Sequence, residues 1–418
     1  MVVNWQKFTL KEICNLITDG KHGDCTNEEG SGYFFLSVKD VLDNRLVYDN
    51  ARQITKEDFL ETHRRTNLEE GDVLFTNTGT IGRMAIASND PKTQRTTFQK
   101  SVAILKPKRD IVMPHFLYYM LKFNNKRLSS FAEGTTQKNL LLKDFRIFDV
   151  IIPPISEQRV ITNILRTFDK KIELNQRMNQ TLEGIGRAIF KHWFMDFEFP
   201  DEQGRPYKSS GGEMVDSELG EIPKGWDVGT LNDLCKLNAN SWKTNNIPQE
   251  IHYVDLANAK NGNIEEIQLF NAKSAPSRAK RILSQGDTIF GTVRPANRSF
   301  ALVGDHNLQL TGSTGFAVLS PKNSELREIV YLITTSDQNV ERLTCLADGA
   351  AYPAVNPSVV VDEICVLPPQ NIIENFHDEV GPLFDKVLLN KNNESILSQI
   401  RDSLLPQLIS GKIRLMGN

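Results

Sequence analysis

Few residues in this chain have types and spacing suited to chemistry, and those few suit recognition better than bond breaking. Thr78-Gly79-Thr80-Ile81-Gly82-Arg83 follows a predicted strand and offers exposed backbone N–H groups and one arginine. Thr292-Val293-Arg294-Pro295-Ala296-Asn297-Arg298 occupies the corresponding place later in the chain. Such loops can bring N–H groups to phosphate oxygens and a guanidinium to guanine O6 and N7. A plain strand-connecting turn would use the same residues, so Thr80, Arg83, Arg294 and Arg298 stand as candidates. A second matched pair of segments follows: Thr135-Thr136-Gln137-Lys138-Asn139 and Ala350-Ala351-Tyr352-Pro353-Ala354, each just after a glycine, Gly134 or Gly349. Gln137 and Lys138 suit a base edge and a phosphate, and Tyr352 suits a sugar or a methyl group; solvated turns are the alternative. Lys21-His22 and Trp242-Lys243 are further candidates of this kind.

Motifs for bond-making chemistry are missing from the sequence. There is no G-x-x-x-x-G-K-[ST] phosphate loop, no G-x-G-x-x-G fingerprint, no H-E-x-x-H and no Cys/His metal spacing. An N-P-P-Y-like motif is also absent; Asn356-Pro357-Ser358 comes nearest, without the second proline or the aromatic. The seven histidines are scattered, none at triad-like spacing. Five cysteines form no C-x-x-C pair, and Cys14 and Cys235 lie among apolar neighbours, which predicts buried thiols rather than ligands or bridges.

The elements that must position these loops occur twice. Leu10-Lys11-Glu12-Ile13-Cys14 returns as Leu231-Asn232-Asp233-Leu234-Cys235, and Gly71-Asp72-Val73-Leu74-Phe75 as Gly286-Asp287-Thr288-Ile289-Phe290. Pro153-Pro154 returns as Pro368-Pro369 and Phe168-Asp169-Lys170 as Phe384-Asp385-Lys386. The offset settles at 215 (286 − 71, 368 − 153). In each copy, short apolar runs between Gly, Asn, Asp and Pro read as strands. In the first they are Tyr33–Leu36, Val73–Phe75, Met84–Ile86, Ser101–Leu105 and Phe148–Ile152, with a helix from Pro114 to Leu121. The fold class expected is mixed α/β (α+β), with two globular heads and an internal pseudo-two-fold repeat.

After each proline pair the pattern becomes helical. Apolar residues at Ile161, Ile164, Phe168, Ile172, Met178, Leu182, Ile185 and Ile189 fall close to a seven-residue repeat, and the second copy carries Phe376, Leu383, Leu397 and Leu404. Ser156 and Asn371 are the expected N-caps, with Glu374 completing a capping-box-like arrangement. Roughly 35 residues would make a rod of about 50 Å. Asn175 and Asn390 are the polar exceptions, near the middle of each helix. In an antiparallel pair, central positions meet their own equivalents, so these two are expected to face each other and fix the register; rotation out to solvent is the alternative. Phe190, Trp193, Phe194 and Phe197 cluster at a helix end, where domain packing is the default and a partner contact the alternative.

A chain of 418 residues suffices for two or three domains, each with its own core. A net charge of −3 argues against an indiscriminate nucleic-acid binder but not against a specific one. No apolar run reaches transmembrane length and no signal-peptide pattern opens the sequence, so a cytoplasmic location without membrane contact is expected.

Four stretches, in order, carry a resemblance. Ile152-Pro153-Pro154-Ile155-Ser156-Glu157-Gln158, Phe190–Glu198, Gly220-Glu221-Ile222-Pro223-Lys224-Gly225-Trp226 and Ile400–Ile413 make the chain similar to the specificity subunit of type I restriction–modification enzymes. The resemblance implies target recognition domains at 1–152 and 225–367, a conserved helix at 153–195 and a conserved helix and tail at 368–418; residues 196–224, rich in Gly, Ser, Glu and Asp, read as a linker, part of it able to pack on the following domain. It implies that the helices form an antiparallel coiled coil that spaces the heads, each reading half of a bipartite site in double-stranded DNA. It also implies two methyltransferase subunits docked on this chain, and separate restriction/translocase subunits. S-adenosylmethionine, ATP and Mg would sit only on those partners; no cofactor, metal or catalytic residue is expected here. The other reading left open is a two-headed coiled-coil scaffold that binds proteins or other non-DNA ligands.

Overall fold

The computed structural model describes residues 5–414 apart from Asp43, residues 135–137, Thr244, Asn307 and Ala350. The chain divides into two compact units. One comprises residues 1–171 with 397–418; the other comprises residues 172–396.

In the first unit a four-stranded antiparallel sheet forms the frame of the head, in the order Cys14–Asp19, Val102–Pro107, Val73–Thr76, Met84–Ile86. The central strand Val73–Thr76 is buried throughout, as its unbroken apolar run demands. Gln6–Thr9 pairs with Asp149–Ile152, and a capping box of Thr9 and Glu12 turns the chain into the short helix Leu10–Ile13. The helix predicted from Pro114 runs Pro114–Phe123, opened by the proline whose missing N–H costs nothing in a first turn.

The second unit repeats this frame. Its sheet runs Cys235–Leu237, Phe316–Pro321, Thr288–Gly291, Phe300–Leu302, the same order and the same antiparallel sense. Asp227–Thr230 pairs with Ile364–Leu367, and Thr230 and Asp233 repeat the capping box. Beside each frame lies a parallel strand pair: Phe34–Leu36 with Thr96–Phe98 in the first head, Glu250–Val254 with Leu310–Ser313 in the second.

Two helices of 40 residues each, Ile155–Phe194 and Gln370–Ile409, follow the proline pairs. They open earlier than expected, so Ser156 and Asn371 lie inside the first turn instead of capping it; proline's fixed φ already suits helix entry, and Gln158 N donates to the Pro154 carbonyl at 3.0 Å. Within the second unit the helices pair antiparallel: Gly186 faces Val380 and Phe384, while Asn179 meets Asn390 and Glu394. Within the first unit Asp169 meets Arg401 at 2.7 Å. Gly186 is where the helices approach closely, since a Cβ there would sit 2.7 Å from the Phe384 ring. That close approach displaces Ile185, expected in the seam, to an exposed position (43 %).

The segment read as a linker is structured. Met214–Ser217 and Gly220–Pro223 form an antiparallel hairpin, and Phe199 stacks between Tyr207 and Trp226, 4.6 and 5.0 Å from their ring centres. Phe190, Trp193 and Phe194 pack around the fully buried Phe376, and Phe197 packs edge-on to Trp226, so this aromatic cluster is domain core. No helix among the described residues is long and apolar enough to cross a membrane.

Candidate nucleic-acid interface

The two loops singled out in each head come together, and do so identically. In the first head Leu140 N donates to the Asn77 carbonyl at 2.8 Å and Gly79 N to the Lys138 carbonyl at 3.2 Å. In the second, Val355 N donates to the Thr292 carbonyl at 3.0 Å and Arg294 N to the Pro353 carbonyl at 2.7 Å. Every residue of the second set lies 215 beyond its counterpart (292 − 77, 294 − 79, 353 − 138, 355 − 140). The later loop is also pinched shut in the same way: Glu133 and Asn139 exchange two backbone hydrogen bonds of 3.0 and 2.8 Å, as Asp348 and Ala354 do at 3.0 and 2.9 Å. Each pinch begins with a glycine at φ near +112°, Gly134 or Gly349, a conformation that side chains resist. The shared glycines visible in the sequence are therefore the hinges of a repeated loop.

What these loops hold up to solvent differs between heads. In the first, Thr80 and Lys138 are exposed, while Arg83 is half-buried and donates to the Val38 carbonyl at 3.3 Å, so part of its fork is structural. Gln137 lies outside the described residues, as do Thr135, Thr136 and Ala350. Gly82 is indispensable to the loop's shape: its φ is +94°, and a Cβ there would fall 2.3 Å from Asn125 Oδ1. In the second head Tyr352 is 72 % exposed and the Arg294 guanidinium sits 4.8 Å from its ring centre, a cation–π stack fixed by a 2.8 Å bond from Arg294 to the Ala351 carbonyl. Arg298 is ion-paired with Asp337 at the start of the helix Asp337–Cys345. Both arginines have left-handed backbones, φ +50° and +54°, which costs about 1–2 kcal/mol per residue. Strain of that order, at the exposed Arg294 and the half-buried Arg298, is characteristic of functional sites.

The remaining candidates are tied into the fold. Lys21 lies between Asp58 (2.6 Å) and Glu61 (2.9 Å), which raise its pKa, and His22 rests on Asp19 at 3.0 Å. Trp242 donates its indole N–H to Thr311 Oγ1 at 3.0 Å. Cys14, Cys235 and Cys365 are buried, and burial pushes each thiol up to about 12, away from thiolate chemistry.

Asn175 and Asn390 are both buried, 1 % and 2 % exposed, but they do not bond to each other. Asn390 Nδ2 donates to Asn179 Oδ1 at 2.8 Å, and Asn179 Nδ2 donates to Glu394 Oε1 at 3.0 Å. The pair of repeat equivalents that meets is thus Asn179 with Glu394 (394 − 179 = 215), one turn on from the expected pair. The helices are slid by a turn relative to a pairing about their midpoints, and the carboxamide of Asn175 is left without a hydrogen-bond partner. Glu394 was not anticipated; burial raises its pKa to about 7.

Residues 2–184 match the family model for the type I restriction modification DNA specificity domain. Over 394 residues the chain is 28 % identical to the type I restriction enzyme MjaIX specificity subunit of Methanocaldococcus jannaschii, an alignment covering 91 % of this chain and 86 % of that one. Over nearly its whole length the chain is similar to a type I restriction specificity subunit. The HindI specificity subunit of Haemophilus influenzae is 23 % identical over 446 residues, 91 % of this chain and 94 % of its own length. The fold is also that of the type I restriction–modification S subunit from M. genitalium, with a TM-score of 0.57 at 17 % identity over 98 % of this chain and 96 % of that one.

Proposed function

We propose that this chain is a specificity subunit that reads a bipartite sequence in double-stranded DNA, one half with each head, and performs no chemistry itself. The observation that carries this reading is the repeated loop pair: one backbone scaffold, built identically in both heads, presenting Thr80, Arg83 and Lys138 in one and Arg294, Arg298 and Tyr352 in the other. A common scaffold with different exposed residues suits two readers of different half-sites, whereas a palindrome reader needs matching ones. Arginine offers the fork that matches guanine, and an exposed tyrosine offers an apolar face to a thymine methyl or a sugar.

We infer further that the long helices dock two methyltransferase subunits. Leu174 and Leu389, and Ile185 and Ile400, are exposed apolar residues in two pairs, each related by the repeat (389 − 174, 400 − 185). Such a twice-presented apolar set suits two copies of one partner. S-adenosylmethionine would be bound by those subunits, which flip the target adenine, and ATP and Mg by separate restriction/translocase subunits.

Single-molecule methylome sequencing of cells carrying this chain with a co-expressed methyltransferase, against cells lacking this chain, tests the reading. A bipartite methyladenine motif that depends on this chain is expected, and exchanging residues 1–152 should alter one half of it alone. Assembly of the complex without new methylation would overturn DNA reading in favour of a scaffold.

A further inference from the structure

The second head holds a cavity of about 400 Å³ lined in part by Arg298 of the recognition loop. One wall is the hairpin Ala259–Lys260/Asn263–Ile264, whose turn residues Asn261 and Gly262 lie at φ +46° and +86°. The opposite wall is the turn Pro295–Asn297 with Arg298 and Ser299. The walls are bonded together: Asn261 N donates to the Arg298 carbonyl at 2.8 Å and Gly262 N to the Phe300 carbonyl at 2.9 Å. Lys391 Nζ holds the hairpin from behind, donating to the Gly262 carbonyl at 2.9 Å. The polar side chains lining the cavity are Lys260, Asn261, Asn297, Arg298 and Ser299: two cations, two carboxamides and a hydroxyl, with no carboxylate among them. Asp337 pairs with Arg298 through one guanidinium nitrogen and lies outside the lining, leaving the other N–H donors of the fork for a ligand. A rigid, donor-rich, cationic recess of this size fits a phosphate group with its attached sugar.

We propose that this cavity is a phosphate-binding site of the second head, taken by a backbone phosphate of the DNA that the head reads. The proposal rests on the DNA reading given above. Arg298 is chemically continuous with the recognition loop, four residues from the Arg294–Tyr352 stack. The first head keeps a matching hairpin, Val41–Leu42/Arg45–Leu46, and an arginine at the matching turn, Arg83 for Arg298 (298 − 83 = 215), but Gly82 stands for Asn297 and Arg83 is half-buried with a bond to the Val38 carbonyl. A phosphate contact here adds affinity to the second head's half-site without specifying its bases.

The test uses the full chain, assembled with its methyltransferase subunits, as wild type, Lys260→Gln, and Lys260→Gln/Arg298→Gln. Duplex affinity is measured across a salt series, and thermal stability with and without adenosine monophosphate. The expected result is weaker binding to every duplex by roughly threefold to tenfold per lost cation, with the slope of log affinity against log salt falling by about one for each. Lys260 is exposed on its hairpin, so its single variant keeps the test readable if loss of Arg298 disturbs the fold. An unchanged slope in a wild-type-like, DNA-binding complex overturns the proposal and leaves the DNA reading intact. An unchanged slope together with stabilisation by adenosine monophosphate that the variants lose assigns the cavity to a free nucleotide instead. A wild-type complex with no salt-sensitive duplex binding overturns the DNA reading and this site with it.

Discussion

Beside its parallel strand pair the first head places a helix, Lys56–Thr66, which packs on Thr96–Phe98. The second head extends the corresponding pair into a four-stranded sheet by adding Gln268–Asn271 and Ala279–Leu283. Around these unlike inserts the frames agree strand for strand. The frame thus accepts unlike inserts without losing its strand order. The same contrast appears where each frame's first tryptophan is covered. Trp226 is sealed by Phe197 and Phe199. Trp5 is covered by the Arg414 guanidinium, 5.5 Å from its ring centre, while Glu157 accepts from the indole N–H at 3.0 Å and from Arg414 at 2.9 Å.

The largest effects should separate the two helix–head joints. Phe376 is fully buried among Phe190, Trp193 and Phe194, and its repeat counterpart is Ile161 (376 − 161 = 215), also fully buried. Phe376→Ala should cost about 3–5 kcal/mol, and Ile161→Ala about 2–4 kcal/mol, because less volume is lost from the smaller side chain's site. Hydrogen exchange resolved by segment is the check: each substitution should open its own unit, and a uniform loss across both units would dissolve the comparison.

Next come the tryptophans. Trp226→Ala should destabilise the second unit by about 3–4 kcal/mol at any salt concentration, as expected for lost aromatic packing. Arg414→Ala should cost the first unit about 1–3 kcal/mol, and part of that should vanish in concentrated salt, since Arg414 is exposed while the Glu157 carboxylate it pairs with is buried. Melting curves at low and high salt measure both; salt-independence of Arg414→Ala would refute the ionic character of that closure.

Much of this organisation was legible in the sequence because apolar periodicity and the repeat reinforce each other. The strands Val73–Thr76 and Met84–Ile86, the Pro114 helix and the long helices fall where spacing placed them. The loops bearing Thr80, Arg83, Arg294 and Tyr352 stood out through position after a strand or a glycine, but their union through bonds such as Arg294 N to the Pro353 carbonyl was not legible, since main-chain pairing across about 60 residues leaves no mark on residue type. The helix register also escaped notice. A one-turn slide keeps apolar residues on the seam, so Asn175 and Asn390 were equally compatible with either register until Phe384 seated against Gly186. The Asp196–Lys224 stretch read as a linker by composition; its order comes from Phe199, Tyr207 and Trp226, three aromatics among many polar residues.

One buried group in each unit should respond to acid in opposite directions. Burial, aided by Arg166, lowers His115 in the first unit from 6.5 to about 4. The unfolded chain then takes up a proton below pH 6.5 that the fold refuses, so this unit loses stability as pH falls from 6.5 toward 4. In the second unit Glu394 is raised from 4.5 to about 7 by burial, against opposing contributions from Gln176 and Lys391. Here the fold holds a proton that the unfolded chain releases, so stability is fully present below pH 4.5 and is lost as pH rises through 7. Each effect is on the order of 1–3 kcal/mol. Segment-resolved exchange at pH 5 and pH 7.5 should show Glu394→Gln removing the part of the second unit's pH dependence that Glu394 contributes, without altering the first unit's response.

The finest distinction lies between two asparagines that the repeat makes equivalent (390 − 175 = 215). Asn390 is buried and bonded to Asn179, whereas Asn175 is buried with both carboxamide atoms unpaired. Leucine at position 390 removes a partner and strands the Asn179 carbonyl oxygen, which should cost about 1–2 kcal/mol. Leucine at position 175 removes an unsatisfied amide from an apolar seam and should stabilise the helix pair by about 1 kcal/mol. Opposite signs at equivalent positions follow only if the slid register, with Asn179 against Glu394, is the one the chain adopts. If both variants were destabilised equally, Asn175 and Asn390 would have to be partners after all, and the helices would pair about their midpoints.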